Sequence, residues 1–357
     1  MAPGRLAPLA ALSAALLVVL GAGARSTAAP TPLPEAPSLF LAGSEGTFSA
    51  ARLAQSGVEW RGGPIATSTG ETVRVFVSTA LPPERAVPED WAERIARFTH
   101  GPELGLLTAY IATLPEVQGV CGGRALGCYG RNRLIAPGED VPLGMTGATA
   151  EEILRHEYGH HVAFHRANPP WNALDWGPKR WASVADVCAR VARKEAFPGN
   201  QGANYALNPG EAWAETYRLM DERKAGITTA TWTIVAPGFY PSEEALQAAE
   251  ADVLDPWIRP TTVTAERTFA RSTRKTWLLP LPTPLDGELR VSVTLPRRGA
   301  HDVALLAGDR RTVLAHGTRT GPRRVLLTHT VCGQRNVVLR VTQRGALGRV
   351  LVTAARP

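Results

Sequence analysis

The apolar positions change period several times along the chain, and each change marks an element. In "ETVRVFVST", residues 71–79, Val73, Val75 and Val77 alternate with polar neighbours, which predicts a strand with one buried face. In "PEDWAERIARF", Trp91, Ile95 and Phe98 fall three and four residues apart behind early acidic residues, so a helix is expected there. "PELGLLTAYIATL" reads as a second helix, and "GCYGRNRLIAPGE" as a turn leading into a short strand ended by Pro137-Gly138. "TAEEILRHEYGHHVAFHR" begins with a capping box, Thr149 with Glu152 three residues on, and offers Ile153, Leu154, Val162 and Phe164 as packing surface. Two more amphipathic helices are expected in "GPKRWASVADVCARVARKEA" (177–196) and "NPGEAWAETYRLMDER" (208–223), the latter opened by Asn208-Pro209.

From about residue 272 the period falls to two. "GELRVSVTL", "DVALLAG", "RTVLAHG", "RRVLLTHTV", "NVVLRVTQ" and "GRVLVTAA" follow one another with turn signals between them, the pattern of an all-β antiparallel sandwich. The boundary is expected near "PWIRPTTVTAE", giving an α+β domain over 67–258 and a β-sandwich accessory domain over 266–357. With 357 residues, 44% of them hydrophobic, the chain can fill two cores.

The first 29 residues have a different character. Arg5 precedes the apolar run "LAPLAALSAALLVVLGAGA", and small residues follow at Ala22, Ala24, Ala28 and Ala29, as a cleaved secretory signal peptide requires. Pro8, Ser13 and the Gly-Ala end make the run a poor membrane anchor. Residues 30–66, which open on "PTPLPEAPS", read as a Pro-rich linker or N-terminal segment. Export makes disulfides the expected fate of Cys121, Cys128, Cys188 and Cys332. Cys121 and Cys128 bracket the short "CGGRALGC" and are expected to clip that loop, which leaves Cys188 to pair with Cys332 or to stay a buried thiol.

The formal charge of +7 is unevenly placed: from residue 266 onward 17 Lys plus Arg face 5 Asp plus Glu, so the rest of the chain is net acidic. The basic residues lie along strands without an aromatic stacking motif, which argues against nucleic acid and suits a solvated surface able to associate with an anionic cell surface.

The candidate chemistry lies in "HEYGH". His156 and His160, one helical turn apart, project from one side of a helix toward a shared point, as a catalytic Zn2+ requires of two of its three protein ligands. Glu157 flanks that face, where its carboxylate can act as general base on a water. His161 is rotated by about 100° from His160, too far to share an ion, and is expected to face solvent or a carboxylate. His165 does not complete the longer H-E-x-x-H-x-x-G-x-x-H pattern, because Ala163 and Arg166 stand at its last two defined positions. An acidic third ligand is expected on the later helix, where Glu211 and Glu215 at i and i+4 let one reach the ion and the other hold a ligating histidine. Asp175, in "WNALDW", is the alternative.

"HEYGHHV" together with "EAWAETYRLM" resembles the gluzincin metallopeptidases, and within them the anthrax lethal factor-like catalytic domain, over roughly residues 150–220. The resemblance implies a zincin-like catalytic domain in which His156, His160 and Glu211 bind one Zn2+, Glu157 is the general base and Glu215 orients a ligand. It also implies an oxyanion-stabilising tyrosine before the glutamate ligand; Tyr205 is the nearest match, at a spacing that differs by one residue. "GELRVSVTLP", "DVALLAG" and "VVLRVTQRGALGRVLV" resemble a bacterial pre-peptidase C-terminal β-sandwich domain. The expected function is that of a secreted zinc-dependent endopeptidase acting on peptide or protein substrates, with "RNRLIAP" as the sheet edge that meets them. The alternative is a catalytically inactive zincin-like scaffold whose β-sandwich serves adhesion or binding.

Overall fold

Three sheets and nine α-helices organise the part of the chain that the computed structural model describes, residues 48–357 apart from 124, 231, 233, 297–300 and 321. The signal peptide read at 1–29 and the Pro-rich stretch after it lie outside the described residues. The first elements are α1 (Ala50–Gln55), β1 (Trp60–Ala66), β2 (Thr72–Ser78), α2 (Pro88–Ala96), β3 (Thr108–Ala112), α3 (Leu114–Cys121), β4 (Cys128–Gly130) and β5 (Arg133–Pro137). The five strands form one mixed sheet in the order β1-β2-β3-β5-β4, with β2, β3 and β5 parallel and the two outer strands antiparallel to their neighbours. Val73, Val75 and Val77 are fully buried on the face that their alternation announces.

Three expectations about this half need correction. Residues 107–113, read as part of a helix, hold strand β3, preceded by a 3-10 turn at Pro102–Leu106. The Leu- and Ala-rich sequence favours a helix locally, but pairing to β2 and β5 on both sides overrides that preference. Residues 50–66, read with the N-terminal segment, supply α1 and β1, and β1 pairs with β2 from Trp60↔Ser78 to Ala66↔Thr72. The strand in "RNRLIAP" is β5, which is interior; β4 is the edge.

Helix α4 (Ala150–Phe164) runs against β5 and carries the HEYGH motif. Its capping box forms as the sequence requires: Thr149 Oγ1 accepts from Glu152 N at 3.1 Å, and Glu152 Oε2 accepts from Thr149 N at 2.7 Å. Next come α5 (Ala173–Trp176), α6 (Lys179–Val184), α7 (Val187–Ala192), α8 (Pro209–Lys224) and α9 (Glu243–Leu254). The single helix expected over 177–196 is broken between α6 and α7, where Asp186 takes the left-handed conformation at φ 60°. Cys188 lies in α7, two residues past that break.

Strands β6 (Thr261–Phe269), β7 (Thr276–Pro282), β8 (Gly287–Thr294), β9 (His301–Ala307), β10 (Val313–His316), β11 (Thr318–Arg319), β12 (Arg324–Val331), β13 (Asn336–Gln343) and β14 (Gly348–Arg356) form two antiparallel sheets. Their orders are β10-β9-β13-β7 and β11-β12-β8-β14-β6. Leu289, Val291 and Val293 of one sheet and Leu305, Leu339 and Val341 of the other share one apolar cluster, so this part is β-sandwich-like. Both disulfides form, Cys121–Cys128 and Cys188–Cys332, and the second ties α7 to the loop after β12.

Candidate metal centre

Two helices build the site, and their close crossing brings its residues together. Gly159 of α4 packs on Ala214 of α8 so tightly that a Cβ there would stand 2.8 Å from the Ala214 Cα, and Trp213 Nε1 donates to the Gly159 carbonyl at 2.8 Å. Glu211, in the first turn of α8, therefore faces the two histidines of α4. Its Oε2 lies 3.3 Å from His156 Nε2 and 3.2 Å from His160 Nε2. The ligand atoms of His156, His160 and Glu211 all lie within 4.8 Å of one another, and the three side chains are buried.

The surroundings fix each of these groups. His156 Nδ1 is 3.1 Å from Glu215 Oε2, so one ring nitrogen meets Glu215 while the other, Nε2, faces Glu211. Arg218 donates twice to Glu215, at 2.6 and 3.0 Å, and once to Glu222 at 2.7 Å. Burial drives the Glu215 carboxyl upward, but the Arg218 guanidinium and His156 hold it well below the usual carboxylate range. Glu211 is likewise held low against its burial, by His160 and His156. The Tyr205 hydroxyl donates to Glu211 Oε2 at 2.9 Å, and Gln201 Nε2 donates to Oε1 at 3.0 Å. Asn208 caps α8 by accepting from Gly210 N at 3.0 Å.

Glu157 differs from its neighbours. It is 1% exposed, its Oε2 has no hydrogen-bond partner, and burial raises its carboxyl to about 7. The backbone entering β4 lies directly over it: a Cβ on Gly127 would come within 2.6 Å of its Oε1. Glu157, His160 and Glu211 line a cavity of about 220 Å3 together with Tyr129, Leu174, Asp175 and Gln201. Two imidazole nitrogens and a carboxylate oxygen, converging with a partnerless carboxylate alongside, form a donor set that fits a zinc ion.

The remaining histidines lie elsewhere. His161, expected at solvent or a carboxylate, is fully buried: Nε2 meets the Glu103 carbonyl at 2.8 Å and Nδ1 the Tyr129 hydroxyl at 3.2 Å. Burial pushes its pKa down to about 4, because the helix face opposite the site packs under the sheet rather than facing water. His165 Nε2 contacts Asn132 Oδ1 at 2.6 Å. Asp175 lies on the cavity wall, outside the group of converging ligand atoms. Sequence reasoning missed Arg218 and Gln201. Arg218 stands at i+3 from Glu215, a spacing that could have flagged it; Gln201 carries no local signal.

No family model matches the chain, and the search of curated proteins gave no match. Among solved structures, the chain is similar over 27% of its length to the pre-peptidase C-terminal domain of a collagenase from Bacillus anthracis, 89% of which is covered, at 11% identity and a TM-score of 0.22. So slight a likeness carries no argument, and the β-sandwich-like description rests on the strand pairing.

Proposed function

We propose that this chain is a secreted zinc-dependent endopeptidase whose zincin-like catalytic part precedes the β-sandwich-like one. The observation that carries the reading is the convergence of the His156, His160 and Glu211 ligand atoms within 4.8 Å, beside the buried Glu157, whose Oε2 has no hydrogen-bond partner. A zinc ion on those three residues would supply Lewis acidity toward a peptide carbonyl and acidify water. Glu157 takes a proton from water and returns it to the leaving amine. Glu215, clamped by Arg218, holds the His156 ring in one tautomer and orientation. The Tyr205 hydroxyl, which donates to Glu211 Oε2, would turn its proton from Glu211 to the oxyanion of the tetrahedral intermediate. The sheet edge at β4 offers backbone groups to an extended peptide, and the Cys121–Cys128 bridge anchors its first residue. Two disulfides favour an oxidising compartment, which supports export.

The test is metal analysis of the purified protein with a peptide-library cleavage assay, before and after chelation, on the native chain and on Glu157→Gln. Expected are one zinc per chain in both proteins, chelator-sensitive cleavage by the native chain, and a loss of rate on the order of 10²–10⁴-fold in the variant. Zinc without cleavage of any peptide by the native chain would favour the scaffold reading instead.

A further inference from the structure

Beside the metal centre, Asp175 stands on the cavity wall without a cation. It sits on the short helix α5, and α5 packs on the first turn of α8: a Cβ at Gly210, the residue before Glu211, would be 3.4 Å from the Asp175 Cα. The carboxylate thus borders the same 220 Å3 space as Glu157, His160 and Glu211. A Cβ on Gly199 would be 3.2 Å from the Asp175 carboxyl, so the Gly199 backbone packs beside the carboxylate on the same wall and a larger residue there would crowd it. The only side-chain partner of Asp175 among the described residues is the Asn172 amide, at 3.2 Å, and no Arg, Lys or His lies within ion-pair distance of it. Among the described residues that line the cavity there is no Lys or Arg, whereas three carboxylates, of Asp175, Glu157 and Glu211, border it. Glu211 is committed to the histidines and Glu157 to proton transfer, which leaves Asp175 as the free anionic wall. The space is below the roughly 300–1,000 Å3 of pockets that take whole small molecules, and so is of the size for one side chain.

We infer that Asp175 is a specificity-determining residue that selects a Lys or Arg side chain at a position flanking the scissile bond. The inference rests on the peptidase reading above. A half-buried carboxylate makes a stronger ion pair than a fully exposed one, and the acidic lining disfavours Asp or Glu at the same position. The aliphatic stem of the bound side chain would run past Leu174, which lines the same wall.

The experiment separates binding from hydrolysis. Peptides differing only at the two flanking positions, with Lys, Arg, norleucine or Glu, are titrated by calorimetry into the zinc-loaded Glu157→Gln protein, with and without Asp175→Asn. Expected is a preference for Lys or Arg over norleucine of about tenfold or more, the worth of one partly desolvated charge pair, which disappears in the Asp175→Asn protein. Equal binding of Lys and norleucine peptides, or a preference that survives Asp175→Asn, overturns the inference. The same peptides are offered to the native chain and to Asp175→Lys, whose cleavage preference should move toward Glu. Selective binding without any cleavage by the native chain would sink the peptidase reading and leave the basic-side-chain site standing.

Discussion

Glu215 shows how one residue can serve a site that it does not enter. Fully buried, it accepts from His156 Nδ1 on one side and from Arg218 on the other, so its charge is balanced and its oxygens are fixed. Exchanging it for Gln removes the charge while keeping the shape. Glu215→Gln is expected to weaken zinc binding about 10–100-fold, the usual cost of losing such a supporting partner. Competition with a chromogenic chelator measures this; an unchanged affinity would show that His156 is oriented by packing alone. At this scale the motif was readable: His156, Glu157 and His160 are fixed by their i, i+1, i+4 spacing on a capped helix. His161 was not. Its spacing says which way it leaves the helix, but not that β4 and the 3-10 turn before β3 cover that side and offer it the Tyr129 hydroxyl and the Glu103 carbonyl.

At the scale of elements, the site depends on the separation of α4 and α8. Gly159 lies between His156 and His160 in sequence, and a Cβ on it would stand 2.8 Å from Ala214 and 3.2 Å from Tyr217 of α8. Gly159→Ala must push the helices apart, at a cost of about 1–3 kcal/mol for overpacking, and draw Glu211 away from His156 and His160. Urea denaturation and zinc stoichiometry should therefore fall together in this variant. Gly105→Ala, where a Cβ meets nothing within 4 Å, serves as the control and should change neither. If Gly159→Ala lost stability yet kept full zinc affinity, the crossing distance would not set the site. Helices α4 and α8 were legible because each carries its own start signal, Thr149 with Glu152 and Asn208 with Pro209. Strand β3 was misread because its Leu and Ala content favours a helix, and only its neighbours make it a strand.

At the scale of the whole molecule, the helical part and the β-sandwich-like part are tied by polar and covalent links. Cys188–Cys332 bridges them, Asp286 N donates to Ser183 Oγ at 2.9 Å, and Arg335 Nη2 donates to the Ser183 carbonyl at 2.6 Å. Lys179 lies in the same junction, 1% exposed, with its Nζ donating to the Pro169 carbonyl at 2.7 Å and standing over the rings of Trp171 and Trp257. Burial lowers its pKa to about 8, against the pull of Asp286 and Asp252. The folded value is below the unfolded one, so the cost of the buried charge is present in full below pH 8. Between about 8 and the unfolded value of 10.5 the folded chain releases its proton first, and this group makes stability rise with pH. Lys179→Met lacks that contribution, so the stability difference between variant and native chain in urea denaturation should change with pH across pH 7–10, by up to about 1.4 kcal/mol per pH unit above pH 8. A difference that stays constant over that range would mean that Lys179 titrates normally.

The sequence by itself determined the elements whose signals are local: the alternating strands, the capped helices, and the two histidines with Glu157 on one helix face. These need only the period of the backbone and the chemistry of a single turn. The tertiary structure alone decided which carboxylate meets the histidines and which supports them, since Glu211 and Glu215 share a face of α8 and are distinguished by the angle at which α4 crosses it. It also decided that β4, rather than β5, is the free edge, that the chain breaks at Asp186, and that Asp175 borders the cavity. Each of these depends on contacts between segments far apart in the chain, whose energies no local pattern records.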